Sequence, residues 1–245
     1  MKKILYAGDS LVGGAANYLM AIIKANKIVM THVPPGVKLK KSILKTKFDG
    51  IILSDFAKND LPSDSEKIIL RQVSDGTGLM MIGGWGSFSG PFGGWKGSKI
   101  EGILPVSCLG RDDRMAFPGG AIMFRKKEHP MFGKVSFTVP PVICGMNKVR
   151  IKRSGKVILT ARKIACTNGK LLLDFIELPL FVVDADPKNR IAALTTDLAP
   201  HWCGGLLDWG GRAVKLPVTP RIHVEVGKTY IIFVSSILKW LVGSN

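Results

Sequence analysis

The chain has 245 residues, enough to bury a sizeable core in one large domain. Hydrophobic residues make up 46% and charged residues 22%, which excludes disorder, and the 28 glycines are clustered rather than periodic, which excludes collagen-like structure. Lys and Arg number 35 against 18 Asp and Glu; the net charge of +17 permits an anionic partner without identifying one.

In chain order, Ile4 to Ala7 is a short apolar run that ends at Gly8-Asp9-Ser10. Ala15 to Lys24 places Tyr18, Leu19, Ile22 and Ile23 at helical spacing, and Asp9-Ser10 is expected to cap this helix. Lys27 to Val33 reads as a second strand and Phe48 to Leu53 as a third, ending at Ser54-Asp55. Pro62 to Val73 reads as a helix with proline at its start, and Leu79 to Ile82 as a fourth strand running into glycine. Buried runs spaced by helices predict an α/β fold with a doubly wound parallel sheet covered on both faces. From about 102 to 187 short β-like runs and polar turns replace this pattern, which predicts an antiparallel extension inserted into the same sheet. Arg190 to Thr196 returns to a buried strand ending at Asp197, and Tyr230 to Val242 is an apolar closing helix with Trp240 in the core. The whole of 1–245 reads as one domain.

The four cysteines, Cys108, Cys144, Cys166 and Cys203, form no CxxC pair and are expected to be free thiols in a reducing cytoplasm. The four histidines lack ligand spacing, so no metal and no cofactor is expected. No apolar run approaches the roughly 18 residues that span a bilayer, and Asp9 ends the first apolar segment too early for a signal peptide.

Ligands of a doubly wound sheet bind beyond the carboxyl ends of its strands. That rule selects Asp9 and Ser10, Asp55, the loop from Gly83 to Trp95, and the loop from Asp197 to Gly205. Six of the thirteen residues from Gly83 to Trp95 are glycine, so Gly83, Gly84 and Gly86 can turn backbone N–H groups toward an anion. Ser87 or Ser89 can serve as nucleophile or hydrogen-bond donor, and Trp85 is a candidate ligand-binding residue. His201, between Asp197 and the Trp202-Cys203 pair, is a candidate general base. The competing reading makes these a structural turn and a structural histidine. A third feature is the stretch Arg125 to Lys170, with 12 Lys and Arg against one acid, Glu128. Its aromatics are sparse, so a solvated basic face is favoured over nucleic-acid binding.

Two resemblances bear on these residues. Gly8-Asp9-Ser10-Leu11 resembles the motif of the GDSL (SGNH) hydrolases, in which the serine is the nucleophile, and Asn59-Asp60 is similar to a later block of that family. Ala57 replaces the block's glycine, and His201 stands one residue too far from Asp197 for the family's closing motif. A longer series covers essentially the whole chain: Ile4 to Asp9, Asn17-Tyr18-Leu19, Phe48 to Asp55, Met81 to Trp85, Ile103 to Val106, and Thr196 to Trp202. It resembles the glutamine amidotransferase-like family, a branch of the class I amidotransferase superfamily related to trehalose-utilisation-type proteins. The resemblance implies a flavodoxin-like fold, a cytoplasmic location and self-association into a homo-oligomer.

A glutaminase needs a cysteine on a strand-to-helix elbow, activated by a histidine that an acid orients. The elbow after Ile82 offers Gly83-Gly84-Trp85-Gly86-Ser87 and no cysteine. Relatives carry Gly-Gly-Trp-Glu-Ser-Phe-His-Gly here, so Gly86 stands for an acid and Ser89 for a histidine. His201 matches the region of the superfamily histidine. The expectation is a module that binds a small molecule or a partner and lacks glutaminase activity. The alternatives are a hydrolase using Ser10 or Ser87, and a polyanion-binding protein using 125–170.

Overall fold

The computed structural model of the protein describes residues 1–11 and 14–244. Its elements are β1 (Lys3–Gly8), α1 (Ala15–Ala25), β2 (Val29–Val33), β3 (Gly50–Ser54), α2 (Ser63–Ser74), β4 (Gly78–Ile82), α3 (Lys99–Ile103), β5 (Val106–Ser107), β6 (Arg114–Arg125), β7 (Val142–Asn147), β8 (Arg150–Ile151), β9 (Gly155–Thr167), β10 (Lys170–Leu173), β11 (Leu178–Asp184), β12 (Ile191–Leu194), α4 (Pro200–Cys203), β13 (Ala213–Pro217), β14 (His223–Gly227) and α5 (Lys228–Leu241).

The main sheet runs β2-β1-β3-β4-β12-β11-β9-β6-β7, with β10 paired to β9. The first five strands are parallel, and from β11 onward every pairing is antiparallel. This is the flavodoxin-like α/β arrangement with an antiparallel β extension of the same sheet. The parallel half is buried on both faces, which is why its strands read as unbroken apolar runs. Side chains alternate between the faces along each strand. Ile4, Tyr6, Ile52, Met80 and Ile82 pack under α1 and α5, against Leu19, Ile22, Phe233 and Ile237. Leu5, Ala7, Ile51, Leu53, Leu79 and Met81 pack on the other face, against Ile69, Trp95 and Ile100.

The long strand β6 is interrupted by a bulge between Ala116 and Ala121. Pro118 lies there, where no ladder hydrogen bond is required of it. Two expectations need correction. Neither Asp9 nor Ser10 is the N-cap residue of α1: that position is Gly14, at φ 81°, with no side-chain cap, and Ser10 meets the helix through its carbonyl, which accepts from Ala16 N. Trp240 is half-buried at the edge of the core, where its ring meets His129 edge-on. Among the described residues no helix is long and apolar enough to cross a membrane.

Candidate functional site

Because the five strands of the parallel half share one direction, the residues that follow them meet at one edge of the sheet. The strand order reverses between β1 and β3, so their ends diverge and leave a crevice. Asp9 follows β1, Asp55 follows β3, Gly83 follows β4, and Asp197 lies three residues after β12. Asp9 and Asp55 both sit at left-handed backbone angles, φ 43° and 50°. Such angles are uncommon for residues with a side chain and concentrate at functional sites.

The glycine-rich loop is held by acceptors on either side. Asp55 Oδ1 accepts from Gly86 N, and Ser87 Oγ accepts from Asp55 N at 3.1 Å while donating to Ile82 O at 2.5 Å. Asn147, fully buried at the end of β7, accepts from Gly84 N at 2.9 Å and donates to Gly84 O at 3.2 Å and to Asp113 Oδ1 at 2.7 Å. Its own N–H donates to Thr195 O. The second oxygen of Asp113 accepts from Ser89 N at 2.7 Å. Asn147 thus ties the loop after β4 to the loop after β12. Glycine is required at the junction, since a Cβ on Gly83 would lie 2.2 Å from Thr195 O and one on Gly84 would lie 2.6 Å from the Asp55 carboxylate.

The result is a cavity of about 560 Å³ lined by Asp55, Gly84, Trp85, Phe92, Asp197, His201 and Trp202. The Arg114 guanidinium lies 4.1 Å from the Trp85 ring centroid and is itself held by Asp112, which fixes the indole at the rim. Trp202 approaches β7 so closely that a Cβ on Gly145 would lie 2.5 Å from the indole. His201 is exposed on the short helix α4.

Three carboxylates set the electrostatics. Burial pushes Asp9 up to about 7, Asp55 adds repulsion, and a hydrogen bond from Tyr6 Oη, 2.5 Å from Asp9 Oδ2, opposes the rise. Burial likewise raises Asp197 well above the usual carboxylate range. The Asp9 and Asp55 charges add to this, and N–H bonds from Ala199 and Leu198 hold it back. Asp9 and Asp197 therefore form an interacting carboxyl pair, Asp197 in the cavity wall and Asp9 beneath it. Among the described residues no three His, Cys, Asp or Glu side chains are grouped to hold a metal ion.

Of the residues selected from the sequence, Asp55, Gly84, Trp85, Asp197, His201 and Trp202 line the cavity together. Asp9 lies just beneath, 6% exposed. Gly83, Gly86 and Ser89 shape the loop behind the wall. Ser87 is 1% exposed, with its hydroxyl committed to the main chain. Ser10 is absent from the lining; its carbonyl accepts from Ala16 N. Cys203 is fully buried, its thiol donating to Ala199 O one turn back, and burial raises it far above the ordinary thiol range. Cys108, also buried, is pushed up to about 12, by burial first and then by Glu101. Cys144 and Cys166 are exposed and neither lines the cavity, although Cys144 packs against Gly204, two residues from Trp202.

Sequence reasoning missed Asn147, Asp113, Tyr6 and Phe92. The only signal for Asn147 is an amide closing an apolar run; its partners at Gly84 lie 63 positions away. A larger groove of about 960 Å³ lies beside α1 and β2. Its walls are mainly aliphatic, with Met20, Ile23 and Met30 among them and no acid.

The family model described as "Putative glutamine amidotransferase" matches residues 13–216. Among solved structures, the cytoplasmic protein STM1381 of Salmonella typhimurium LT2 is 24% identical, with 82% of this chain and 91% of that one covered and a TM-score of 0.64. The cytoplasmic protein STM3548 of Salmonella typhimurium is 22% identical, with 82% and 89% covered and a TM-score of 0.63. A protein of Bacteroides uniformis described as ThuA-like is 10% identical, with 98% and 91% covered and a TM-score of 0.53. These three share the fold. No curated protein matches the sequence.

Proposed function

The chain belongs to the glutamine amidotransferase-like family, and from that membership we propose that it is a small-molecule-binding module without glutaminase activity. One observation carries the reading. The elbow after β4 presents Gly84 and Trp85 to the cavity, with Gly86 and Ser87 behind them and no thiol among the four. A glutaminase forms a thioester on a cysteine at such an elbow, and the thiolate is the reacting form. The buried thiol nearest in sequence to His201 is Cys203, which is held protonated and turned toward Ala199.

What the cavity offers instead is recognition chemistry. Trp85, Phe92 and Trp202 give apolar walls, while Asp55 and Asp197 give carboxyl groups and His201 an imidazole. A pocket with a few convergent polar groups in an aromatic frame suits a small polar ligand with an apolar face. Asp9, Ser10, Gly83, Gly86, Ser89 and Cys203 then serve as its supporting shell. We also read 1–245 as one domain in which 102–187 is the insertion, and place the protein in the cytoplasm.

The test is ammonia release from glutamine. Wild-type protein is expected to stay at background. Turnover that disappears in Cys203→Ala would overturn the proposal, because it would mean that this thiol reaches the cavity. The hydrolase alternative requires the Ser87 hydroxyl to leave Ile82 O. Cleavage of short acyl esters that is lost in Ser87→Ala or Ser10→Ala would put that alternative first.

A further inference from the structure

The hairpin of β9 and β10 extends past the rest of the sheet. Its turn is Asn168-Gly169, both at positive φ (51° and 72°), as a tight two-residue hairpin turn requires. The ladder pairs Lys170 with Thr167, Leu171 with Cys166, Leu172 with Ala165 and Leu173 with Ile164. On its other side β10 has no strand among the described residues. The arm carries exposed large apolar side chains: Leu171 is 77% exposed, Leu172 53%, Phe175 93% and Ile176 64%. An apolar edge strand of this kind is a template for pairing unless something covers it.

We propose that a second copy of this chain covers it, through antiparallel pairing of β10 with β10 about a two-fold axis at Leu172. Two features of the arm select this partner and this register. The first is charge. Centring the pair on Leu172 places Lys170 opposite Asp174 of the second copy, and the two-fold repeats the contact at the other end. Centring on Leu171 would set Lys170 against Leu172, and centring on Leu173 would set Asp174 against Leu172; only the middle register matches opposite charges.

The second feature is the main chain. Asp174 N donates to Lys163 O at 2.9 Å, so the alternation of an antiparallel ladder turns Lys170, Leu172 and Asp174 inward to β9. The N–H and C=O groups of Leu171 and Leu173 then face outward. In the register centred on Leu172, Leu171 meets Leu173 of the second copy, so outward groups meet outward groups and roughly four backbone hydrogen bonds form. Leu172 meets its own copy in a non-hydrogen-bonded pair, where side chains are closest. The Lys170–Asp174 contacts are of the same close type. Such an isologous contact closes on itself and does not propagate into fibres. Arg162 Nε donates to Asp174 O at 2.6 Å, and Asp174 Oδ1 accepts from Ile176 N at 3.0 Å, so the end of the strand is already fixed before pairing.

The register makes a cross-linking test sharp. Non-hydrogen-bonded partners lie at a Cα separation of ~4.5 Å, within disulfide reach. In full-length protein carrying Cys144→Ser and Cys166→Ser, Leu172→Cys is expected to give a covalent dimer on mild oxidation, and Leu171→Cys is not. Sedimentation at ~0.15 M salt, where the Debye length is about 8 Å, is expected to show a dimer for wild type and a monomer for Leu172→Lys. Lys170→Asp should weaken the dimer at least tenfold, and adding Asp174→Lys should restore it. These sites are on an exposed arm, and an unchanged far-UV spectrum establishes that each variant is folded. A wild-type protein that is monomeric at ~100 µM would overturn the proposal and leave the arm to a different partner. A dimer that survives Leu172→Lys, or equal cross-linking at positions 171 and 172, would overturn it as well.

Discussion

Asp9 is a carboxyl group placed where its charge is disfavoured. Folding buries it, Tyr6 gives it one hydrogen bond, and the carboxylates of Asp55 and Asp197 lie within range of its charge. A carboxyl raised from 3.8 to about 7 binds its proton more tightly in the native state than in the unfolded one. Stability contributed by this group is therefore fully present below the unfolded value near 4 and is lost as pH rises through about 7. Thermal unfolding followed across pH 4 to 8 should show a declining midpoint in wild type. Asp9→Asn should flatten that slope and match or exceed wild type at the alkaline end; an unchanged slope would assign the dependence to other groups. Asn147 makes the opposite case, a buried amide with every arm occupied. Asn147→Ala strands Asp113 Oδ1 and both polar groups of Gly84, at about 1–3 kcal/mol for each unsatisfied group. A loss of about 3 kcal/mol in urea unfolding is expected, with altered emission from Trp85 as its loop is released. A loss below about 1 kcal/mol would mean that the loop is held without it.

The elements that carry the site differ in how openly they are written in the sequence. Strands β1, β3, β4 and β12 are continuous apolar runs ending in Gly-Asp, Ser-Asp, Gly-Gly and Thr-Thr-Asp, so both the parallel sheet and the loops at its carboxyl edge could be read directly. The antiparallel extension was legible as a change of rhythm, but not the lengths of β6 and β9, because a bulge and a hairpin break their alternation. Asp9-Ser10 has the composition of a cap for α1, yet Gly14 holds that position. The left-handed backbone of Asp9 and its bond to Tyr6 arise from packing at the end of β1, which no local pattern encodes. Gly8 shows how tight that packing is: at φ 115°, its Cβ would lie 1.6 Å from Ser54 O. Gly8→Ala is expected to cost more than about 3 kcal/mol in denaturant unfolding or to prevent folding. Gly36→Ala, also at positive φ (78°) but with open space around it, should cost only about 1–2 kcal/mol. Equal losses would show that backbone angle alone, not the approach of β3, governs Gly8.

At the scale of the whole molecule, the charge of +17 is less available than its size suggests. Within 125–170, Arg125 pairs with Glu128, Lys126 with Glu177, and Lys152 donates to the carbonyls of Glu101 and Gly102. Lys148 and Arg150 are exposed and line a groove of about 520 Å³ with Arg111, but no other cation of the stretch lines it. Binding to RNA or DNA should accordingly be feeble and lost near ~0.15 M salt, with a shallow dependence on log salt, since each phosphate contact adds only about 0.9 to the slope. Tight binding at that salt, weakened by neutralising Arg150, Lys152 and Arg153 together, would move polyanion recognition ahead of small-molecule binding.

In the proposed reading, the glutamine amidotransferase-like fold frames a cavity with no thiol able to attack. This reading is tested most directly by treating the native protein with an electrophilic glutamine analogue and mapping adducts by mass spectrometry. No saturable adduct is expected at Cys108 or Cys203, and only slow labelling at exposed Cys144 and Cys166 that glutamine does not suppress. A stoichiometric adduct on Cys203 that glutamine protects against would contradict it.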